Sequence, residues 1–361
     1  MRLLITGGAG FVGANLGISL AARHPDWEVV GYDNLHRRGS ELNLPRLKAA
    51  GIRFVKGDVR SPDALMEIDS IDALIECSAE PSVMAGVDGE TAYTVHTNLM
   101  GAYNCLELAR RDSAQLVFLS TSRVYPMRAQ SELDYDEGAT RFELSDRQEI
   151  RGASRAGISE DFPLDGARSL YGATKLAAEL LIEEYADGFG LQTVIDRCGV
   201  IAGPWQMGKV DQGVFAFWLF HHHFGLPLSY IGYGGEGKQV RDLLHVDDLV
   251  ELVDEQVSDP AGWAGFVGNV GGGRDHSLSL LETTGICREL TGNEVPIERV
   301  PETRQGDVPI FITDCARLFE RTVWRPSRDP RQTLADIHEW TRANESTISE
   351  ALGLGAAARV N

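Results

Sequence analysis

The chain has 361 residues, of which 43% are apolar and 24% charged, and its formal net charge is −19 at pH 7. This length allows one large domain or two modest ones with a true core. The negative charge disfavours nonspecific binding to nucleic acid or to anionic lipid, and an anionic substrate would need a site that concentrates cations locally.

The first residues, MRLLITGG, contain one arginine and a short apolar run that leads directly into glycines. A signal peptide needs a longer apolar stretch and a cleavage site, and a membrane span needs about 20 apolar residues. The sequence shows neither, so we expect a cytoplasmic protein with no membrane or nucleic-acid partner. Five scattered cysteines without a CxxC pair indicate reduced thiols rather than disulfides or a zinc site.

Short apolar strands alternate with helical patterns through the first 200 residues. Strands are predicted at 2–6, 28–33, 52–58, 71–77, 115–121 and 192–199, and helices near 14–24, 95–111 and 171–190. This alternation indicates an α/β fold with a Rossmann-type doubly wound parallel sheet covered by helices. Beyond residue 200 the pattern is irregular, as in a smaller mixed α/β region that covers a substrate.

The sequence GGAGFVG places Gly7, Gly10 and Gly13 between the first strand and the first helix. Glycine lets the backbone turn tightly and approach a pyrophosphate at the N-terminus of the helix. Asp33 ends the next strand, where its carboxylate would accept hydrogen bonds from ribose hydroxyls and repel a 2′-phosphate. This context predicts NAD as the cofactor.

Two neighbouring features leave alternatives open. Arg37 and Arg38 follow Asp33 closely and could hold a 2′-phosphate, which would favour NADP. Asp58, in the sequence GDVR after the third strand, would meet the adenine amino group or would serve only as a turn-forming aspartate.

Tyr171 and Lys175 form a YxxxK motif at helical spacing, so both side chains share one helix face. A phenol with a pKa of about 10 is a poor base at neutral pH, but a nearby ammonium stabilises the phenolate. Thr121, at a strand end, supplies a hydroxyl that can hydrogen-bond the substrate oxygen and Tyr171. We predict that these three residues are catalytic.

With these motifs the chain resembles the extended short-chain dehydrogenase/reductases that act on nucleotide sugars. The resemblance spans nearly the whole chain through TGGAGFVG, NLMGAYN, STSRVY, YGATK and RDLLHVDD. It implies a catalytic triad of Thr121, Tyr171 and Lys175, with Asn98 helping to position the lysine. The cofactor contacts that it implies are Gly7, Gly10, Phe11, Val12, Gly13, Asp33, Asn34, Asp58, Val59, Ser78, Asn98, Tyr171 and Lys175.

Two positions depart from the patterns of this family. Relatives often carry a histidine where this chain has Glu76. In the 4,6-dehydratases an Asp-Glu pair follows the catalytic threonine and performs the acid/base chemistry of elimination, whereas here Ser122 and Arg123 follow it. The resemblance therefore implies epimerisation; alternatively, Arg123 is only a surface or phosphate-facing residue, although the missing acids still argue against dehydration.

The segments VDQGVFAFW, GEGKQVRDLLHVDD, NVGGG and HSLSLLE resemble those of CDP-paratose 2-epimerases. This resemblance implies that Arg241 and Arg304 hold the diphosphate, since guanidiniums match phosphate oxygens in pairs. Arg304 could equally be an ordinary surface charge. The other implied substrate contacts are Ser122, Arg123, Lys209, Asp211 and Gln212. The HHH run at 221–223 predicts no metal site, because adjacent helical residues point in different directions.

The sequence thus predicts an NAD-binding domain over 1–199, a partly interleaved substrate-binding region over 200–345 and a flexible tail over 346–361. The predicted activity is that of a homodimeric nucleotide-sugar epimerase, a 2-epimerase of a CDP-type sugar. A 4-epimerase or a nucleotide-sugar ketone reductase would use the same triad and remains an alternative. A non-catalytic dinucleotide sensor usually loses the tyrosine or lysine, and this chain keeps both.

Overall fold

The computed structural model describes residues 1–86, 89–208, 213–304 and 306–353. The strands, in chain order, are β1 (Arg2–Thr6), β2 (Glu28–Asp33), β3 (Arg53–Lys56), β4 (Ala73–Glu76), β5 (Gln115–Thr121), β6 (Tyr135–Glu137), β7 (Phe142–Leu144), β8 (Ala153–Ser154), β9 (Gly157–Ile158), β10 (Thr193–Cys198), β11 (Val200–Ala202), β12 (Leu228–Ile231), β13 (Val240–His245), β14 (Phe266–Val270), β15 (Ser277–Ser279), β16 (Ile297–Val300) and β17 (Ile310–Phe311).

The helices, in chain order, are α1 (Phe11–Arg23), α2 (Leu44–Ala49), α3 (Pro62–Met66), α4 (Thr91–Val95), α5 (Gly101–Asp112), α6 (Met127–Ser131), α7 (Leu170–Phe189), α8 (Val214–Phe224), α9 (Val246–Ser258), α10 (Pro260–Trp263), α11 (Leu280–Thr291), α12 (Ala316–Arg321), α13 (Pro330–Ala343) and α14 (Glu345–Ala351). A π-helical segment, His96–Met100, joins α4 to α5. Among the described residues, none of these helices combines the length and the apolar character that crossing a membrane requires.

Seven strands of the described chain form the central sheet, in the order β14-β10-β5-β4-β1-β2-β3. The pairings from β10 to β3 are all parallel. The chain adds β2 and β3 on one side of β1 and then β4, β5 and β10 on the other, so the strand order reverses between β1 and β4. In open α/β sheets, ligands bind at the carboxyl ends of the strands at such a reversal. The predicted Rossmann-type fold is confirmed.

The sheet and its helices enclose an apolar core to which β1, β4, β5 and the buried faces of α5 and α7 contribute. Helix α7 begins at Ser169, whose hydroxyl accepts a hydrogen bond from the amide of Gly172 at 3.1 Å. It ends at Gly190, which has a φ of 67° and so takes the left-handed conformation that glycine adopts without strain. The predicted helix over 95–111 is interrupted by the π-helical segment, in which the amide of Gly101 donates to the carbonyl of His96.

The chain divides into two compact units. The first contains Met1–Val124, Arg168–Cys198 and Leu249–Gly268, and the second contains Tyr125–Ala167, Gly199–Asp248 and Asn269–Asn361. The first unit therefore includes Leu249–Gly268, which lies beyond residue 199, and the second unit includes Tyr125–Ala167, which lies before residue 199. The second unit has its own core, built around α8, α11 and α13, and a sheet in the order β11-β13-β15, with β17 also paired to β13.

The predicted tail is helical where it begins. Helix α14 covers Glu345–Ala351, and its Ile348 is fully buried in the core of the second unit. An apolar contact of this kind orders a segment whose composition alone suggests a loose terminus. Residues 354–361 lie outside the described residues.

Candidate active site

The three predicted glycines form the turn between β1 and α1. Gly7 has a φ of +64°, and a Cβ placed on it would lie 2.8 Å from the carbonyl carbon of Cys77. A Cβ on Gly13 would lie 2.3 Å from the carbonyl oxygen of Gly7. Both distances are too short for a real side chain, so the turn requires glycine. Phe11 and Val12 begin α1, where amide groups have no acceptor within the helix and are available to a phosphate.

Asp33 lies at the carboxyl end of β2 and faces the glycine turn. Its carboxylate accepts hydrogen bonds from the amides of Ala9, at 3.2 Å, and Leu35, at 2.7 Å. Burial raises the pKa of Asp33, whereas these backbone hydrogen bonds lower it. The carboxylate is thus fixed beside the glycine turn, which is the position of the ribose-binding acid in dinucleotide-binding folds.

Asp58 follows β3 and is bound within its own loop. Its carboxylate accepts two hydrogen bonds from the Arg60 guanidinium, at 2.9 and 2.7 Å, and one from the Asn34 amide at 2.9 Å. The hydrogen bonds from Arg60 hold the pKa of Asp58 well below its usual range. Val59 is buried, and its carbonyl accepts from Asn104 at 2.8 Å. The predicted cofactor contacts Asn34, after β2, and Asp58 and Val59, after β3, therefore lie in two loops that the Asn34–Asp58 hydrogen bond joins.

The predicted catalytic residues lie together in the first unit. Thr121 is the last residue of β5, and Tyr171 lies in the first turn of α7. The Thr121 hydroxyl lies near enough to the Tyr171 phenol to influence its pKa. Burial raises the pKa of Tyr171 to about 12, while the Thr121 hydroxyl and the positive charge of Arg123 lower it. The phenol therefore keeps its proton in the free protein, and added positive charge or a bound ligand would have to lower its pKa for base catalysis.

Lys175, one turn after Tyr171, is buried between an acid and an aromatic ring. Its Nζ lies 3.4 Å from a carboxylate oxygen of Glu76 and 3.7 Å from the centroid of the Phe118 ring. Glu76 ends β4 and pairs in register with Phe118 of β5, so both side chains meet the lysine from the sheet. Sequence reasoning noted Glu76 only as a departure from a histidine. An acid that ends a buried apolar strand is a signal that a cation must lie nearby.

Asn98 lies in the π-helical segment and is buried. Its amide nitrogen donates to the Thr174 hydroxyl at 3.2 Å and to the carbonyl of Glu80 at 3.1 Å, and its oxygen accepts from the amide of Glu80 at 2.8 Å. These bonds attach the segment after β4 to the residue that precedes Lys175. Ser78 lies in that segment, with its amide nitrogen 3.0 Å from the position of a Cβ on Gly7. The two residues thus flank the lysine and the glycine turn.

Ser122 and Arg123 begin a short turn after β5. The amide of Arg123 donates to the Thr121 hydroxyl oxygen at 3.2 Å. A Cβ on Gly172 would lie 2.0 Å from the Arg123 carbonyl oxygen, so α7 packs directly on this turn. This contact holds Arg123 next to the start of α7, and its charge acts on the phenol of Tyr171.

A second buried ion pair fixes α7 to the sheet. The Arg197 guanidinium of β10 donates to Glu179 Oε2 through Nε, at 3.0 Å, and Nη2, at 2.8 Å. The Ser120 hydroxyl of β5 donates to the same carboxylate. Sequence reasoning missed this network, although the i, i+4 spacing from Lys175 places Glu179 on the buried face.

The predicted substrate residues of the second unit lie near β13. Arg241 donates to Asp307 Oδ1 at 2.8 Å and to the carbonyls of Val308, at 2.7 Å, and Val240, at 2.8 Å. Arg304 is exposed, and its carbonyl accepts from the amide of Asp307 at 3.2 Å. Asp307 thus connects the two arginines. Lys209, Asp211 and Gln212 lie outside the described residues.

The three consecutive histidines of α8 contact different groups. His221 Nδ1 lies 2.7 Å from the carbonyl of Pro227, and His222 Nδ1 lies 2.9 Å from that of Trp218. The His223 ring faces His338, with 5.5 Å between the ring centroids. Their rings therefore do not converge on a common point.

A glycine turn at the strand-order reversal, a fixed acid after the next strand and a Thr-Tyr-Lys group define an NAD-dependent enzyme of the extended short-chain dehydrogenase/reductase class. The NAD dependent epimerase/dehydratase family model matches residues 3–271. The chain belongs to this family, whose members act on nucleotide sugars.

Three relatives illustrate the range of this family. The chain is 28% identical to a CDP-paratose 2-epimerase from Salmonella typhi, over 94% of this chain and 99% of that protein. It is 29% identical to a dTDP-glucose 4,6-dehydratase from Mycobacterium tuberculosis, over 96% of this chain and 95% of that protein. A solved UDP-glucose 4-epimerase from Thermus thermophilus, in complex with NAD, superposes with a TM-score of 0.74 at 26% identity, covering 95% of this chain and 99% of that one.

The glycine turn and Asp33 fit the NAD cofactor of this family. Gly7 packs against the backbone of Cys77 and Ser78, which follow β4. At the point where the strand order reverses, these two chain segments therefore present backbone atoms to a ligand. The fixed Asp33 carboxylate suits the unphosphorylated ribose of NAD.

Proposed function

We propose that this protein is a nucleotide-sugar epimerase that inverts carbon 2 of a CDP-type sugar by transient oxidation. The observation that carries the proposal is the placement of Thr121, at the end of β5, beside the Tyr171 phenol of α7, next to a turn in which Ser122 and Arg123 supply no carboxylate. This arrangement supports proton exchange at a sugar hydroxyl without an accompanying elimination.

The chain's own residues would manage the proton and the substrate oxygen. Bound NAD supplies the reversible acceptance and return of a hydride at the sugar carbon. Tyr171 takes the hydroxyl proton as the carbonyl forms and gives it back when the carbonyl is reduced from its opposite face. Thr121 hydrogen-bonds the same oxygen throughout. The two electrons that leave the carbon return to it, so no external reductant is consumed.

Dehydration would require further acid/base groups. Loss of water from the keto-sugar needs a base to remove the proton from the carbon beside the ketone and an acid to protonate the leaving hydroxyl. Ser122 is a weak base, and Arg123 is always charged and cannot accept a proton. The residues that follow Thr121 therefore favour return of the hydride over elimination.

Arg241 and Arg304 are the proposed ligands of the diphosphate. Arg241 uses three N–H groups on Asp307 and on two carbonyls, and a guanidinium has five. Among the described residues, two N–H groups of Arg241 thus remain for phosphate oxygens, while Asp307 holds the side chain in place. Lys209, Asp211 and Gln212, which resemble the 2-epimerases in sequence, complete the proposed substrate contacts.

We also propose a homodimer formed through α5, α7 and the adjoining π-helical segment. Four large apolar side chains on these elements are solvent-exposed: Met100 (43%), Tyr103 (38%), Leu180 (57%) and Phe189 (62%). They lie on the outer side of helices that are themselves packed together through the Tyr185–Glu107 hydrogen bond. A second copy of the same face would cover them.

The test is to incubate the purified protein, without added cofactor, with CDP-, UDP-, GDP- and ADP-hexoses in D₂O and to follow the sugar ring by proton NMR. Inversion at carbon 2 of a CDP-sugar without deuterium uptake is the expected result. Inversion at carbon 4 would contradict the proposed 2-epimerase activity and identify the protein as a 4-epimerase. Dependence on added NADH would indicate a ketone reductase, and deuterium uptake would indicate proton abstraction beside a ketone, which would contradict our interpretation of Ser122 and Arg123.

A further inference from the structure

Glu76 is an acidic residue at the end of a buried strand. It ends β4, and its Cα partners on the two neighbouring strands are Thr6 and Phe118. Its carboxylate lies 3.4 Å from Lys175 Nζ, and both side chains are about 2% exposed. Burying a charge in this way is unfavourable unless its partner is close, so the pair must form as a unit.

The ammonium of Lys175 is therefore offset by a carboxylate before any ligand binds. A lone ammonium near a phenol stabilises the phenolate, whereas an ammonium paired with a carboxylate produces a much weaker field. The positive charge of Arg123 also acts on Tyr171 and lowers its pKa. The titratable and charged groups that face this cluster from α7, β4, α5, β5 and β10 are Tyr171, Lys175, Glu76, Cys77, Cys105, Arg123 and Cys198.

Two of the three thiols in this group, Cys77 and Cys105, are neutral at neutral pH. Burial raises the pKa of Cys77 and of Cys105 well above the usual thiol value. The described acidic and basic side chains of this group are the carboxylate of Glu76 and the cations of Lys175 and Arg123.

We propose that Glu76 is a positioning residue that holds the Lys175 ammonium and offsets its charge, so that Glu76, Lys175 and Arg123 together set the proton affinity of Tyr171. This inference rests on the roles of Tyr171 and Lys175 in the proposed function. The proposal also gives Arg123 a second role. Because Glu76 partly offsets the charge of Lys175, Arg123 supplies positive charge near Tyr171 in its place.

The test measures the titration of Tyr171 directly. The protein is labelled with 3-fluorotyrosine, whose phenol is more acidic than that of tyrosine, and its ¹⁹F NMR spectrum is followed with pH. The Tyr171 resonance is the one missing from Tyr171→Phe. We expect Glu76→Gln to lower the Tyr171 midpoint by about one pH unit and Arg123→Gln to raise it by a similar amount. An unchanged or higher midpoint in Glu76→Gln would overturn the proposal.

Two further variants keep the test decisive. Glu76→His gives a second side chain that is neutral at alkaline pH and that relatives often carry, so it serves if Glu76→Gln does not fold; the same downward shift is expected, and its absence would overturn the proposal. Glu107→Gln is the matched control, because Glu107 is hydrogen-bonded to Tyr185. It should move the Tyr185 resonance and leave that of Tyr171 in place; a matching shift of Tyr171 would show a nonspecific effect and overturn the assignment.

The titration needs no substrate and no turnover. A failed epimerisation assay with the expected shifts would therefore refute the proposed function and leave the charge relationship standing. Epimerisation without the shifts would refute only the role of Glu76.

Discussion

Glu76 and Lys175 form a buried ion pair across 3.4 Å, joining the end of β4 to the helix that carries the candidate catalytic tyrosine. Removing one partner leaves an uncompensated charge in the core. We expect Glu76→Gln or Lys175→Met to lower the free energy of unfolding by about 3–5 kcal/mol, and the double variant to lose less than the two single losses combined. Urea denaturation of the four proteins measures this coupling, and strictly additive losses would show that the pair does not act as a unit.

Gly13→Ala should prevent cofactor binding. Its new Cβ would lie 2.3 Å from the Gly7 carbonyl oxygen, so the turn and the start of α1 would be forced apart. We expect the purified variant to contain little NAD and to bind added NAD weakly in calorimetry. Gly285→Ala, inside α11 with no atom near its added Cβ, is the control; it should bind NAD normally and gain about 0.5–1 kcal/mol of stability. Normal NAD binding by Gly13→Ala would show that the turn does not hold the pyrophosphate.

Tyr171→Phe should slow epimerisation by about 10²–10⁴-fold, since it removes the proposed acid/base group while keeping the ring. Its NAD content should stay close to that of the wild type. Tyr185→Phe lies on the same helix and removes a hydroxyl bonded to Glu107, so its rate should change by less than about threefold, within the range of surface substitutions. Equal rates for Tyr171→Phe and the wild type would assign the proton transfer to another group.

Asp196 should make stability fall as the pH rises. Burial raises its pKa to about 7, and its carboxyl oxygen accepts a hydrogen bond from Gln256 at 2.9 Å. Because the folded state keeps this proton above the pH at which the unfolded chain loses it, the contribution is complete below about pH 4 and is lost as the pH rises through about 7. The loss is on the order of 4 kcal/mol.

Asp196→Asn tests this pH dependence. Asparagine keeps the acceptor oxygen and does not ionise, so the variant should lose less stability than the wild type between pH 5 and pH 8. Urea denaturation at several pH values gives the comparison. Asp26→Asn, at an exposed position, is the control and should follow the wild-type curve. Parallel curves for Asp196→Asn and the wild type would mean that this carboxyl stays ionised.

Leu180→Glu should convert the proposed dimer to a monomer. Leu180 is 57% exposed on α7, and a charge there could not be buried against a second copy without a large desolvation penalty. Sedimentation velocity measures the change in mass. Val323→Glu is the control, because Val323 is an exposed apolar residue of the second unit, at 96%. If the wild-type protein sediments as a monomer, the proposed dimer is wrong.

The sequence predicted the parts of the fold that local patterns specify. The bounds of β1, β2 and β5 follow from apolar runs that end at a glycine turn, an aspartate and a threonine. The strand β14 could not be predicted as part of the central sheet, because its five residues join that sheet from a distant part of the chain. The π-helical turn at His96–Met100 was also missed, since nothing in helical periodicity marks a single extra residue.

The site divides in the same way. Gly7, Asp33, Tyr171 and Lys175 belong to motifs with fixed spacing, and they were predicted as candidates. The partners that set their chemistry come from distant positions. The pairing of Arg241 with Asp307 depends on the packing of a loop against β13, which no spacing in the sequence specifies.

The buried network of Ser120, Glu179 and Arg197 constrains how these positions can change during evolution. Both charged side chains are buried and bonded to each other, so a change at Glu179 or Arg197 alone would leave an uncompensated charge in the interior. We expect homologues to vary at these two positions together, exchanging the acid and the base for a matched apolar pair in a single lineage. An alignment in which Glu179 often occurs without Arg197, or Arg197 without Glu179, would contradict this expectation. It would show that other contacts can hold α7 to the sheet.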